Sequence, residues 1–168
     1  MLEKYELNGN NLTIIDEKLK IDIQSSLEIE KKYLYYDNKK ILSISHYHKN
    51  ILHGSTTFFS KTGTILSVSW FYLGKRFGKV HKYYSSSNIY SIESFKEDLM
   101  EGEQKYFYEN GNLKTILNYK DGTLDGDIKL FYDDSKLKRY LIFTNGQKIQ
   151  DNIFDKKEKL IDESIFEI

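Results

Sequence analysis

Four glycines, Gly54, Gly78, Gly102 and Gly126, stand 24 residues apart. Carrying that period back to Glu30 and forward to Gln150 divides the chain into five units: 30–53, 54–77, 78–101, 102–125 and 126–149. With the leading residue as position zero, three apolar columns run through all five units. Position five is Tyr35, Phe59, Tyr83, Phe107 and Phe131. Position eleven is Ile41, Ile65, Ile89, Leu113 and Leu137, and position seventeen is Tyr47, Phe71, Phe95, Tyr119 and Phe143. Position twenty holds Asn50, Gly74, Asp98, Gly122 and Gly146, residues that suit a turn. A fixed period of this length marks a repeat architecture in which each unit buries its apolar side chains against its neighbours.

Turn signals leave only short segments, which suit strands and are too short for helices. In the unit beginning at Gly102, an aromatic strand leads into Asn110-Gly111, a second strand follows from Leu113, and Asp121-Gly122 leads to the next unit. Asn110-Gly111 predicts a type I′ hairpin, since both residues accept positive φ. The expected fold is all-β: an elongated antiparallel meander of about five 24-residue hairpins. Residues 1–29 are expected to supply N-terminal cap strands, residues 30–149 the repeats, and residues 150–168 a C-terminal cap. Asp155 with Glu158 matches a capping box, and Leu160, Ile161, Ile165 and Ile168 fall near helical spacing. The pattern predicts a short helix over 155–166.

Composition agrees with continuous strand pairing. The chain has 168 residues and no proline, where about eight would be usual. Proline removes a ladder donor, so paired strands exclude it. There is no cysteine, which removes disulfides, thiolate metal sites and thiol nucleophiles. The N-terminus lacks the apolar run of a signal peptide, and a cytoplasmic location is expected.

Chemical motifs are sparse. No G-x-S-x-G motif exists, and Ser85-Ser86-Ser87 occupy a turn position. The stretch from Gly74 to Val80 spaces its glycines wrongly for a phosphate loop. His46, His48 and His53 lie close in sequence, and three imidazoles could hold zinc, but no nearby carboxylate pattern supports a metal. The expectation is no catalytic residue, no metal and no cofactor.

Charge is balanced overall and uneven locally. Residues 30–77 carry eight bases, including Lys31, Lys32, Lys75 and Arg76, against Glu30 and Asp37. Both ends of the chain are acidic. Basic residues interleaved with aromatics suit an acidic protein or an anionic surface. A neutral chain disfavours nucleic acid. The candidate contact residues are Tyr36, His46, His48, Trp70, Tyr72, Arg76 and Tyr84, with positions six, sixteen and eighteen expected on one face.

The segment from Glu101 to Tyr132 resembles the variant MORN repeat of bacterial proteins. It has a leading glycine, an aromatic pair, an Asn-Gly turn, an apolar strand ending in Tyr119 and a closing glycine turn. The resemblance covers roughly residues 30–149. It implies a curved antiparallel sheet and a binding role without catalysis. Some members resemble antitoxin or immunity proteins, which implies a cognate toxin as protein partner. Others act at membranes, so a scaffold on an anionic membrane surface is the alternative.

Overall fold

A computed structural model describes residues 2–166. Two sheets contain every strand found there, and no helix occurs among the described residues. The first sheet is β1 (Glu3–Asn8), β2 (Asn11–Asp16) and β3 (Ile21–Ser25), paired in that order. The second is a 15-stranded meander. It starts with β4 (Glu30–Tyr35), β5 (Ile41–His48), β6 (Ile51–Phe59) and β7 (Ile65–Tyr72). Its middle is β8 (Lys75–Arg76), β9 (Gly78–Tyr83), β10 (Ile89–Lys96), β11 (Leu99–Met100), β12 (Gly102–Phe107) and β13 (Leu113–Lys120). It ends with β14 (Thr123–Leu124), β15 (Gly126–Phe131), β16 (Leu137–Thr144), β17 (Gln147–Phe154) and β18 (Leu160–Ile165). Strands β4 and β18 form its two edges.

Each unit uses two turn types, and the type I′ turn is not the one expected. In the first turn only Gly111 takes positive φ (88), while Tyr108 N–H donates to the Asn112 carbonyl at 2.8 Å. That is a type I turn closed by a left-handed residue, with a strand bulge beside it between Tyr106 and Phe107. The type I′ turn is the second one, where Asp121 (φ 49) and Gly122 (φ 79) are both positive. It returns the chain as β14, which pairs with only two residues of β13.

Beyond that return the units diverge. Strands β13 and β15 pair only through Thr115↔Leu130 and Ile116↔Lys129. Other bonds close the seam. Position-six tyrosines donate their hydroxyls to the position-five carbonyl of the next unit: Tyr36 to Phe59, Tyr84 to Phe107, Tyr108 to Phe131 and Tyr132 to Phe154, at 2.7–2.9 Å. At the other end, each type I′ turn donates an N–H to the preceding unit: Gly74 to Leu52, Asp98 to Arg76, Gly122 to Met100 and Gly146 to Leu124. Between β10 and β12 the Gln104 side chain fills the gap. It accepts from Ser94 N–H at 2.7 Å and donates to the Ser94 carbonyl at 3.0 Å, as a facing strand would.

The expected helix over 155–166 is absent. The spacing shortens by one residue into a sixth, incomplete unit, so Asp155 takes the place of the position-six tyrosines and Glu158 (φ 61) the left-handed place that Gly111 takes earlier. The Asp155 carboxylate accepts the N–H groups of Lys157 and Lys159, which stabilises a turn. The capping-box spacing and the turn spacing coincide here. The following segment pairs with β17 as β18, exposing Leu160 and Ile161. Ile168 lies outside the described residues.

The N-terminal sheet lies on one face of units one to three and reaches the first residue of unit four. Leu12, Ile14, Leu19 and Ile21 are buried, packed with Tyr5, Leu7 and Ile23 against Trp70, Tyr72 and Phe77. Each such burial contributes roughly 1.5–3 kcal/mol. Three repeat glycines receive the sheet. A β-carbon at Gly54 would meet Leu7, one at Gly78 would meet Tyr5, and one at Gly102 would meet Leu19. The hydroxyl of Tyr5 donates to buried Asp16 at 2.5 Å, and burial pushes that phenol well above its ordinary range.

Candidate functional site

The opposite face of the meander has neither a third sheet nor a helix over it among the described residues. One line of facing residues crosses it from edge to edge. Leu34 pairs with Ser43, Ser43 with Phe58, Phe58 with Ser67 and Ser67 with Lys82. The line continues through Ser91, Tyr106, Thr115, Leu130 and Arg139. Long side chains at position four therefore alternate with short ones at position thirteen as far as Thr115, and Arg139 ends the series. Because the long residues lie two strands apart, they recur about every 9.5 Å.

The row forms a comb. Leu34 is 59% exposed and Phe58 41%, while Ser43 between them is buried, as is Ser91 between Lys82 and Tyr106. Such alternation offers apolar projections separated by shallow polar sockets. Aromatic contact continues along it: Tyr90 lies 5.2 Å from Tyr84 and 6.1 Å from Tyr106 between ring centroids.

The centre of the comb is charged and internally paired. Lys82 Nζ lies 2.8 Å from Glu93 Oε1, and the Ser91 hydroxyl donates to the same oxygen at 3.0 Å. Burial, reinforced by the Glu93 carboxylate, pushes the neighbouring Tyr106 phenol up to about 12. At the far end Arg139 makes two bonds to Asp151, at 2.7 and 2.5 Å, and Lys148 adds a third. These bonds, led by the Arg139 guanidinium, hold the Asp151 carboxyl down at about 2. The charges are consumed by neighbours, so the arrangement serves recognition better than proton transfer.

Residues 100–121 match the family described as MORN repeat variant. The matched stretch contains β12, the type I turn and β13, and its hydrogen-bond frame recurs along the meander. Over that stretch the chain is similar to a variant MORN repeat. No curated protein matches the chain. MORN repeats are non-enzymatic units that bind proteins or membranes.

Within the MORN frame, the residues expected from sequence to form a contact surface separate into three places. His46, His48, Trp70 and Tyr72 occupy positions sixteen and eighteen, on the face that carries the N-terminal sheet. Trp70 and Tyr72 pack on that sheet's core. His46 Nδ1–H donates to the Ser55 carbonyl at 2.7 Å, and His48 Nδ1–H to the Glu28 carbonyl at 2.9 Å. Tyr36 and Tyr84 lie apart from them, in the hydroxyl ladder at the type I turns. Arg76 lies at the type I′ end, bonded to Asp98 at 3.0 Å and stacked 4.2 Å from the Phe95 ring centre.

His53 is fully buried: its Nδ1 accepts from Leu73 N–H, so its Nε2–H donates to Ser25. The comb itself was missed. Its signal was present in the unexplained small residues at position thirteen, whose strand partners at position four are large.

Proposed function

We propose that this protein is an immunity- or antitoxin-like protein of the cytoplasm, which binds a cognate toxin and blocks it. The observation that carries the reading is the uncovered comb of Leu34, Phe58, Tyr106 and Leu130. Aromatic residues on a rigid sheet give contact area at low entropic cost, and blocking a partner needs shape complementarity alone. Tyr36 and Tyr84 border this face, and the neighbouring lysines of the first two units suit an acidic partner. The N-terminal sheet braces the other face, holding the comb in one shape before binding.

The test begins with mass spectrometry of the proteins that co-purify with the chain, followed by calorimetry on the captured toxin-like protein. Phe58→Asp and Tyr106→Asp are expected to weaken that complex at least tenfold. Lys75→Glu, on the distant type I′ turn, should leave it unchanged. Equal affinity for all three variants would overturn the reading. So would binding that requires anionic vesicles and no protein, the outcome a membrane scaffold predicts.

A further inference from the structure

The two open edges of the meander match each other. Strand β4 is Glu-Lys-Lys-Tyr-Leu-Tyr and carries exposed Tyr33, Leu34 and Tyr35. Strand β18 is Leu-Ile-Asp-Glu-Ser-Ile and carries exposed Leu160 and Ile161. Open edges bearing large apolar side chains are ordinarily avoided, because their unpaired backbone groups invite another strand. The meander's continuous path contains an even number of strands, all antiparallel to their neighbours. Two copies in the same orientation therefore bring β18 of one against β4 of the next antiparallel.

We propose that a second copy of this chain is the occupant of these edges, joined head to tail in a defined register. Lys31 faces Glu163 of the next copy, Lys32 faces Asp162, Tyr33 faces Ile161 and Leu34 faces Leu160. The register pairs opposite charges twice and apolar residues once on a shared face, Tyr33 with Ile161, and each such pair favours association. It preserves the faces for both charged pairs and for Tyr33 with Ile161, while the bulge beside Phe154 turns Leu160 to the face opposite Leu34. Lys32 and Leu34 lie on the comb face, as does Asp162, which extends the facing line through Ile153 from Arg139. Because the two joined surfaces differ, the contact repeats without closing and extends the sheet as an open filament. The comb is left free, so this association is independent of the toxin-binding reading.

The test is sedimentation velocity on the full chain over a concentration series, at low and high salt. Average mass is expected to rise with concentration and to fall as salt screens the pairs. Lys31→Glu/Lys32→Glu and Asp162→Lys/Glu163→Lys should each lose association, and an equimolar mixture of the two should regain it. Ile161→Asp, at an exposed position, supplies a second break that leaves the folded core untouched; circular dichroism checks each variant. A wild-type chain that stays monomeric throughout would overturn the proposal. Folded variants that still associate, or a mixture that does not recover, would overturn it equally.

Discussion

The ring of Tyr5 occupies the space where position 78 would otherwise carry a β-carbon, 2.1 Å from its Cε1 atom. Gly78 also sits at φ 73, a conformation that disfavours side chains. Gly78→Ala should therefore destabilise the protein by at least about 2 kcal/mol, from backbone strain and overpacking together. Gly126 shares the conformation but meets only Asn118, at 3.6 Å, so Gly126→Ala should cost clearly less. Thermal denaturation of both variants checks the difference. Because Tyr5 also packs in the core and bonds Asp16, the overpacking part is read as the coupling energy of a Gly78→Ala/Tyr5→Ala double-mutant cycle.

The tyrosine ladder offers a subtraction of single atoms. Tyr108→Phe removes the bond to the Phe131 carbonyl and leaves that carbonyl short of a partner. A loss of about 1 kcal/mol is expected from urea denaturation. Ser60 already lacks the ladder bond and bonds within its own turn instead, so Ser60→Ala should cost less than Tyr108→Phe.

Leu73 is an exposed branched residue held at φ 46 in a type I′ turn. Equivalent places hold Lys49, Glu97, Asp121 and Asn145. Asparagine tolerates this conformation, and the Leu73 N–H that bonds His53 is retained on substitution. Leu73→Asn should raise stability by roughly 0.5–1 kcal/mol. An unchanged or lower melting temperature would refute the strain assigned to this turn.

Acid should weaken the fold in two stages. Burial lowers the His53 imidazole, helped by His48, and lowers that of His81, helped by Lys79. For both, the unfolded chain takes up a proton before the folded chain does. Their stability contribution is thus complete above about pH 6.5 and is lost as pH falls through the folded values. Asp151 follows: its depressed carboxyl keeps its contribution above about pH 4 and loses it as pH approaches 2. Melting temperatures from neutral pH downward should show both stages. His53→Asn should flatten the first, and Asp151→Asn the second.

The period and the strand content were readable because glycine, aromatic and turn residues recur at fixed places. The turn types were less readable. Asn110-Gly111 suits a type I′ turn in isolation, yet the bulge beside Phe107 selects the other geometry. Asp155 and Glu158 carried a helix signal only because a capping box and this repeat's turn share one spacing. The docking of the N-terminal sheet was hidden for another reason. Gly54, Gly78 and Gly102 read as turn residues, while their second role is to make room for Leu7, Tyr5 and Leu19. Contacts between segments so distant in sequence leave no periodic trace. The comb required knowing which columns face each other, and a bulge in each hairpin shifts that parity.

The N-terminal sheet claims only the first three repeat glycines, and units two to five meet each other through the same two-residue seam. Gene duplication could therefore lengthen or shorten the array downstream of Gly102 by whole units without disturbing its anchored end. Reach along the comb would become a heritable variable, adjustable to the size of a rival molecule while the foundation stays the same.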